Sequence, residues 1–83
     1  MSRDDALLEA FAAELRARRS ALKLSQEDLA HRAGINRTYI AKLELSQNQP
    51  TLSVLNQLAI ALNGELPELM EAVLMRYGRR TLG

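Results

Sequence analysis

The sequence has no cysteine, one histidine and two prolines. Without thiols it has neither a disulfide nor a thiolate metal site, and His31 alone cannot build a zinc site, so the core must hold by apolar packing. Aromatic rings are confined to Phe11, Tyr39 and Tyr77. Aliphatic residues therefore supply the interior, and nothing reads as β-rich. A glycine-rich phosphate loop, a metal constellation and a histidine with an acid partner are all missing, which argues against an enzyme and implies no cofactor, no metal and no small-molecule substrate. The start carries Asp4 and Asp5 and no long apolar run, unlike a signal peptide. Leu45 to Gly64 is uncharged but interrupted by Ser, Gln, Asn and Pro, unlike a membrane span. A soluble cytoplasmic protein without a membrane partner is expected. At 83 residues it should be one domain near the size at which stability is marginal, and a second copy would help it.

The net charge is only +1, so its distribution matters more than its sum. Arg16, Arg18, Arg19, Lys23, Arg32, Arg37 and Lys42 fall in the first half, and Glu65, Glu68 and Glu71 follow. A basic face beside an acidic flank is expected. Arg76, Arg79 and Arg80 reverse the sign again, in what reads as a flexible tail over residues 78–83.

The most informative stretch is Ser25 to Leu45, SQEDLAHRAGINRTYIAKLEL. Leu29, Ala30 and Ala33 share one helical face and Ile40 with Leu43 another, separated only by Gly34, Ile35 and Asn36. Ser25 and Asp28 form a capping box, Gly34 supplies the positive φ that ends one helix, and Asn36 caps the next. This is the spacing of a helix-turn-helix corner, built to present one helix outward.

Around it the spacing predicts an all-α, compact five-helix bundle. The first helix runs from Arg3 to about Leu22, with Ser2 and Asp5 as its capping pair and Leu7, Leu8, Phe11, Leu15 and Leu22 buried. The SQNQP loop precedes a fourth helix that uses Leu52, Leu55, Leu58, Ala59 and Leu62 and stops at Asn63 and Gly64. A fifth begins near Pro67, and its wide apolar stripe of Leu66, Leu69, Met70, Val73, Leu74 and Tyr77 is read either as core or as a homodimer interface, with a lean to the dimer.

Arg19, SQEDLA, Gly34, RTYI, Glu44 and PTLSVLNQLAIAL together resemble the XRE family of lambda-repressor and Cro-like regulators, over Leu15 to Leu69. Within it, RTYI and the short length resemble the controller proteins of restriction-modification systems. The resemblance implies a transcriptional regulator whose third helix enters the major groove of an operator. Arg37 is then the first candidate for base reading, since its guanidinium fits guanine O6 and N7 together. Thr38 meets a thymine methyl or a phosphate, Lys42 a guanine edge or a phosphate, and Asn36 completes the base-reading set. Gln26, Tyr39, Asn48, Gln49 and Thr51 fall at positions the family sets against the sugar-phosphate backbone. Arg19 and Glu44 match a structural ion pair. Glu27 and Asp28 match a patch through which some relatives touch RNA polymerase. Many relatives have glycine just before the cap of the second helix, where Lys23 stands here, so either the lysine takes a strained positive φ or the joint is built differently. The competing reading is an antitoxin or other interaction module whose last helix covers a partner protein.

Overall fold

The computed structural model describes residues 3–82, with the side chains of residues 3–79. These form five helices: α1 (Asp5–Ala21), α2 (Gln26–Ala33), α3 (Arg37–Glu44), α4 (Leu52–Ala61) and α5 (Leu66–Leu82). Helix α1 is the central rod, packed against α5 and α3, while α2 packs on α3 and α4, and α4 on α5. Leu15, Leu29, Ile40, Leu43, Leu58, Leu69 and Val73 are its largest fully buried side chains, one or more from every helix. Burying each such side chain is worth about 1.5 to 3 kcal/mol, so the fold rests on aliphatic contact between helices.

Four expectations about element ends are corrected. Helix α1 starts at Asp5, and its cap is Asp4, whose extended backbone lets Oδ1 accept from the Leu7 amide at 3.0 Å. Ser2 lies outside the described residues. Leu22 follows the last helical residue and is 37% exposed, and Leu52, as the first residue of α4, points away from the core and is 75% exposed. The fifth helix does not stop at Tyr77 but continues to Leu82, because one interior glycine costs a helix only about 1 kcal/mol and the arginines beside it are good helix formers.

Three joints use non-glycine residues with positive φ: Lys23 at 58°, Ser46 at 61° and Asn63 at 63°. After α4 it is Asn63 that takes the left-handed conformation, while Gly64 serves close approach. A Cβ at Gly64 would sit 2.7 Å from Glu68 Oε1, the atom that accepts the Glu65 amide at the start of α5.

Candidate nucleic-acid interface

The corner is assembled by local bonds. Ser25 Oγ accepts from the Asp28 amide at 2.9 Å while Asp28 Oδ2 accepts from the Ser25 amide at 3.0 Å, closing the capping box. The Ser25 backbone bond, reinforced by its hydroxyl, holds the Asp28 carboxyl below the usual carboxylate range. Gly34 ends α2 at φ 67°, the Ile35 amide donates back to the Ala30 carbonyl at 2.9 Å, and Asn36 Oδ1 accepts from the Thr38 and Tyr39 amides at 2.7 and 3.4 Å. Ile40 and Leu43 anchor α3 inward, leaving Arg37, Thr38 and Lys42 on its exposed face.

The cations of residues 3–50 divide into two groups. Arg3, Arg16, Arg18, Arg19 and Arg32 all bond acceptors of the protein itself: Arg18 reaches Glu14, and Arg32 reaches the Ala61 carbonyl. Lys23, Arg37 and Lys42 are exposed, and among the described residues they form no side-chain hydrogen bond or ion pair. Of the cations expected to form a basic face in this part of the chain, those left without an internal acceptor are therefore concentrated on α3 and the turn before α2, while Arg16 and Arg32 stay exposed but are held by carbonyls.

Around Glu44 the structure brings together residues whose roles seemed separate. Arg19 donates through Nε to Oε2 at 2.6 Å and through Nη2 to Oε1 at 3.0 Å, and its third group reaches the Leu24 carbonyl at 2.8 Å. The Glu44 bond raises the Arg19 pKa above its ordinary value, so the guanidinium stays charged. Gln26 Nε2 donates to the same Oε1 at 3.1 Å, which leaves its second N–H free to meet an acceptor outside. Glu44 is the buried charged residue of this cluster, 4% exposed, and all its bonds come from donors.

The remaining candidates are distributed along one rim. Half-buried Tyr39 packs on the core, with its hydroxyl 3.5 Å from the Gln49 carbonyl, a weak bond at best. Asn48 is half-buried, and Gln49 and Thr51 are exposed. Thr51 also caps α4 by accepting from the Val54 amide at 3.1 Å, which leaves its hydroxyl hydrogen available. Asn36 has its oxygen committed to capping, so only its amide nitrogen is left to face a base. Glu27 is exposed beside the box-bound Asp28. Sequence reasoning missed the roles of Arg3 and Arg16, because nothing local marks a carbonyl that lies far along the chain.

Residues 15–69 match the helix-turn-helix family. The chain is 44% identical over 62 residues to the control protein C.SmaI of Serratia marcescens, covering 75% of this chain and 74% of that protein. It superposes on the restriction-modification controller protein C.AhdI of Aeromonas hydrophila with a TM-score of 0.72 and 40% identity, over 75% of this chain and 94% of that one. The chain belongs to the helix-turn-helix family of XRE-type transcriptional regulators. A third controller, C.Esp1396I, solved as a tetramer on its natural 35 base-pair operator, shares the fold with a TM-score of 0.79 at 24% identity, over 86% of this chain and 93% of that one.

For this DNA-binding regulator, the expected second-copy surface on α5 needs correction. Leu69 and Val73 are 0% exposed within the single chain, so neither can face a partner. Leu66, Met70 and Tyr77 are half-buried against the core, and the Tyr77 hydroxyl donates to Asp4 Oδ2 at 2.6 Å. Among the described residues, the large apolar side chains that α5 exposes are Leu74 and Met75. Helical spacing could not separate Leu74 from Leu69 and Val73, because all three lie on one wide stripe, and Met75 lies outside it.

Proposed function

We propose that this regulator binds a near-palindromic operator in the cytoplasm as a homodimer, in the manner of a restriction-modification controller, with half-sites roughly one helical turn, about 34 Å, apart. The observation that carries this is the division of charge within residues 3–50: the cations there without an internal partner are Arg37 and Lys42 on α3, with Lys23 at the turn into α2. Arg37 reads a guanine, Thr38 and Lys42 contact a neighbouring base or phosphate, and the Asn36 amide lies at the edge of that set. Gln26, held by Glu44, directs its second N–H to a phosphate, and Tyr39, Asn48, Gln49 and Thr51 continue that backbone contact along the rim. The similarity to controller proteins, one of them solved as a tetramer on its operator, supports a multi-copy assembly.

The second copy docks on α5 through Leu74 and Met75, bordered by Leu66, Met70 and Tyr77. An exposed apolar pair favours one other reading, an interaction module whose last helix covers a different protein. Sedimentation of the purified chain separates them: a dimer that Leu74→Glu dissociates supports the first, and a monomer with intact Leu74 supports the second.

A contact with RNA polymerase would run through Glu27, since Asp28 is engaged in capping. Glu27→Ala should then lower promoter output with DNA affinity unchanged, and equal output would remove this role. The decisive experiment for the main reading is selection of bound duplexes from a random pool. Enrichment of a two-fold symmetric site is expected, and a pool that stays random at physiological salt would refute operator binding.

A further inference from the structure

The C-terminal end of α3 is held by arginines that come from outside the corner. The carbonyls of Ala41, Lys42 and Leu43 are satisfied by backbone amides: Leu45 donates to Ala41 at 3.1 Å, Gln47 to Lys42 at 2.9 Å and Ser46 to Leu43 at 3.1 Å, with Ser46 in the left-handed conformation. Such a turn leaves the following carbonyls pointing outward without helical donors. In this chain Arg16 of α1 donates to the Glu44 carbonyl through Nη1. Arg3 donates through Nη1 to the Gln47 carbonyl at 2.9 Å and through Nη2 to the Ser46 carbonyl at 3.0 Å. Ser46 Oγ lies 3.5 Å from the Leu8 carbonyl of the same helix.

We propose that Arg3 and Arg16 are positioning residues for DNA recognition: as two clamps from α1 and its entry, they fix the end of α3 and the turn after it. Their cations also lie at the negative end of the α3 dipole, where positive charge is favoured. The turn they hold runs directly into Asn48, Gln49 and Thr51, the rim residues assigned to the sugar-phosphate backbone. With α3 only eight residues long, a loosened C-terminal end tilts Arg37 and Lys42 relative to each other. Specific binding needs both in register, whereas random duplex accepts a range of poses. The clamps therefore act on specificity without touching DNA, and this rests on α3 being the base-reading helix.

The test compares wild type with Arg16→Gln, Arg3→Gln and Arg3→Lys, each verified as folded by circular dichroism at the working temperature. Amide hydrogen exchange of the free protein is followed at Leu45, Ser46 and Gln47. Affinity is measured for the site that wild type selects and for random duplex of equal length, across a salt series. We expect exchange at these amides to rise about tenfold in both Gln variants and the preference for the selected site to fall by a similar factor, the scale of one charge-assisted bond lost at a partly exposed site. Arg3→Lys keeps the charge but not the two-pronged donor set, so it should lose most of the same preference. Affinity for random duplex and its salt dependence should stay unchanged.

Unchanged exchange in the Gln variants overturns the proposal, as does full preference retained by Arg3→Lys. Equal losses on both duplexes, with the log–log salt slope reduced by about 0.9 per cation, would make these arginines phosphate contacts instead. If wild type prefers no duplex, the operator reading fails, and the exchange data alone then test whether the clamps fix the turn.

Discussion

Glu44 receives Arg19 twice, at 2.6 and 3.0 Å, so a charge pair 25 positions apart in the chain ties the first helix to the end of α3. Arg19 is the more exposed partner, at 18% of its side chain against 4% for Glu44. Removing the arginine leaves a buried carboxylate with Gln26 as its remaining side-chain donor. Arg19→Met should therefore cost about 3 kcal/mol in urea unfolding, the lower end for breaking such a pair. The double variant Arg19→Met with Glu44→Leu should recover most of that loss, and a double variant as unstable as the single one would contradict this.

On DNA, Arg37 and Gln26 should behave oppositely. Arg37→Ala removes an exposed side chain with no internal partner, so the fold should keep its melting temperature while preference at one base pair per half-site drops by about 1 to 3 kcal/mol. Gln26→Ala should weaken selected and random duplex alike. Because Gln26 also bonds Glu44, that variant should lose some stability too. Binding titrations on both duplexes, beside thermal melts, read all of these effects.

Acid should loosen the contact between α1 and α5. Burial works against ionisation of Glu14, but bonds from Arg76 at 2.7 Å and Arg18 at 2.6 Å, with their charges, outweigh it and hold the carboxyl below the ordinary glutamate range. A depressed folded-state pKa contributes stability that is complete above the ordinary glutamate value and disappears as the pH falls through the lower, folded-state value. Glu14→Gln should thus flatten the acid limb of a stability–pH curve. An acid limb of the same slope in wild type and variant would show that Glu14 does not set it.

Backbone strain separates two joints of similar geometry. Lys23 at φ 58° carries a Cβ where a left-handed residue costs roughly 1 to 2 kcal/mol, and Gly34 at φ 67° avoids that cost with open space around it. Lys23→Gly should raise stability by up to about 1 kcal/mol, and Gly34→Ala should lower it by about the same amount or slightly more. Thermal melts with opposite signs for the two variants are the expected result.

The corner was legible because each of its signals is local. Ser25 and Asp28 are three residues apart, and Gly34 and Asn36 sit at the ends they shape, so residue type and spacing were enough. The Arg19–Glu44 pair, distant in sequence, was legible only through family resemblance. Arg76 with Glu14, and Arg3 with Ser46 and Gln47, left no trace, since a carbonyl acceptor has no residue type and a partner across the bundle has no spacing. The α5 stripe failed for another reason. Leu69 and Val73 share its period with Leu74, and only the placement of α1 and α4 decides which of them is covered. Charge failed similarly: Arg16, Arg18, Arg19 and Arg32 look as available in sequence as Arg37 does.

The engagement of Arg3, Arg16 and Arg32 with backbone carbonyls has a consequence, on the proposed reading, for how the protein finds its site. Guanidinium groups already committed to internal acceptors keep their charge but are less free to follow the phosphates of a passing duplex, so DNA of the wrong sequence is held mainly by long-range attraction. Discrimination then comes less from raw attraction than from geometry, and two copies joined at the correct separation are held where one alone would drift off.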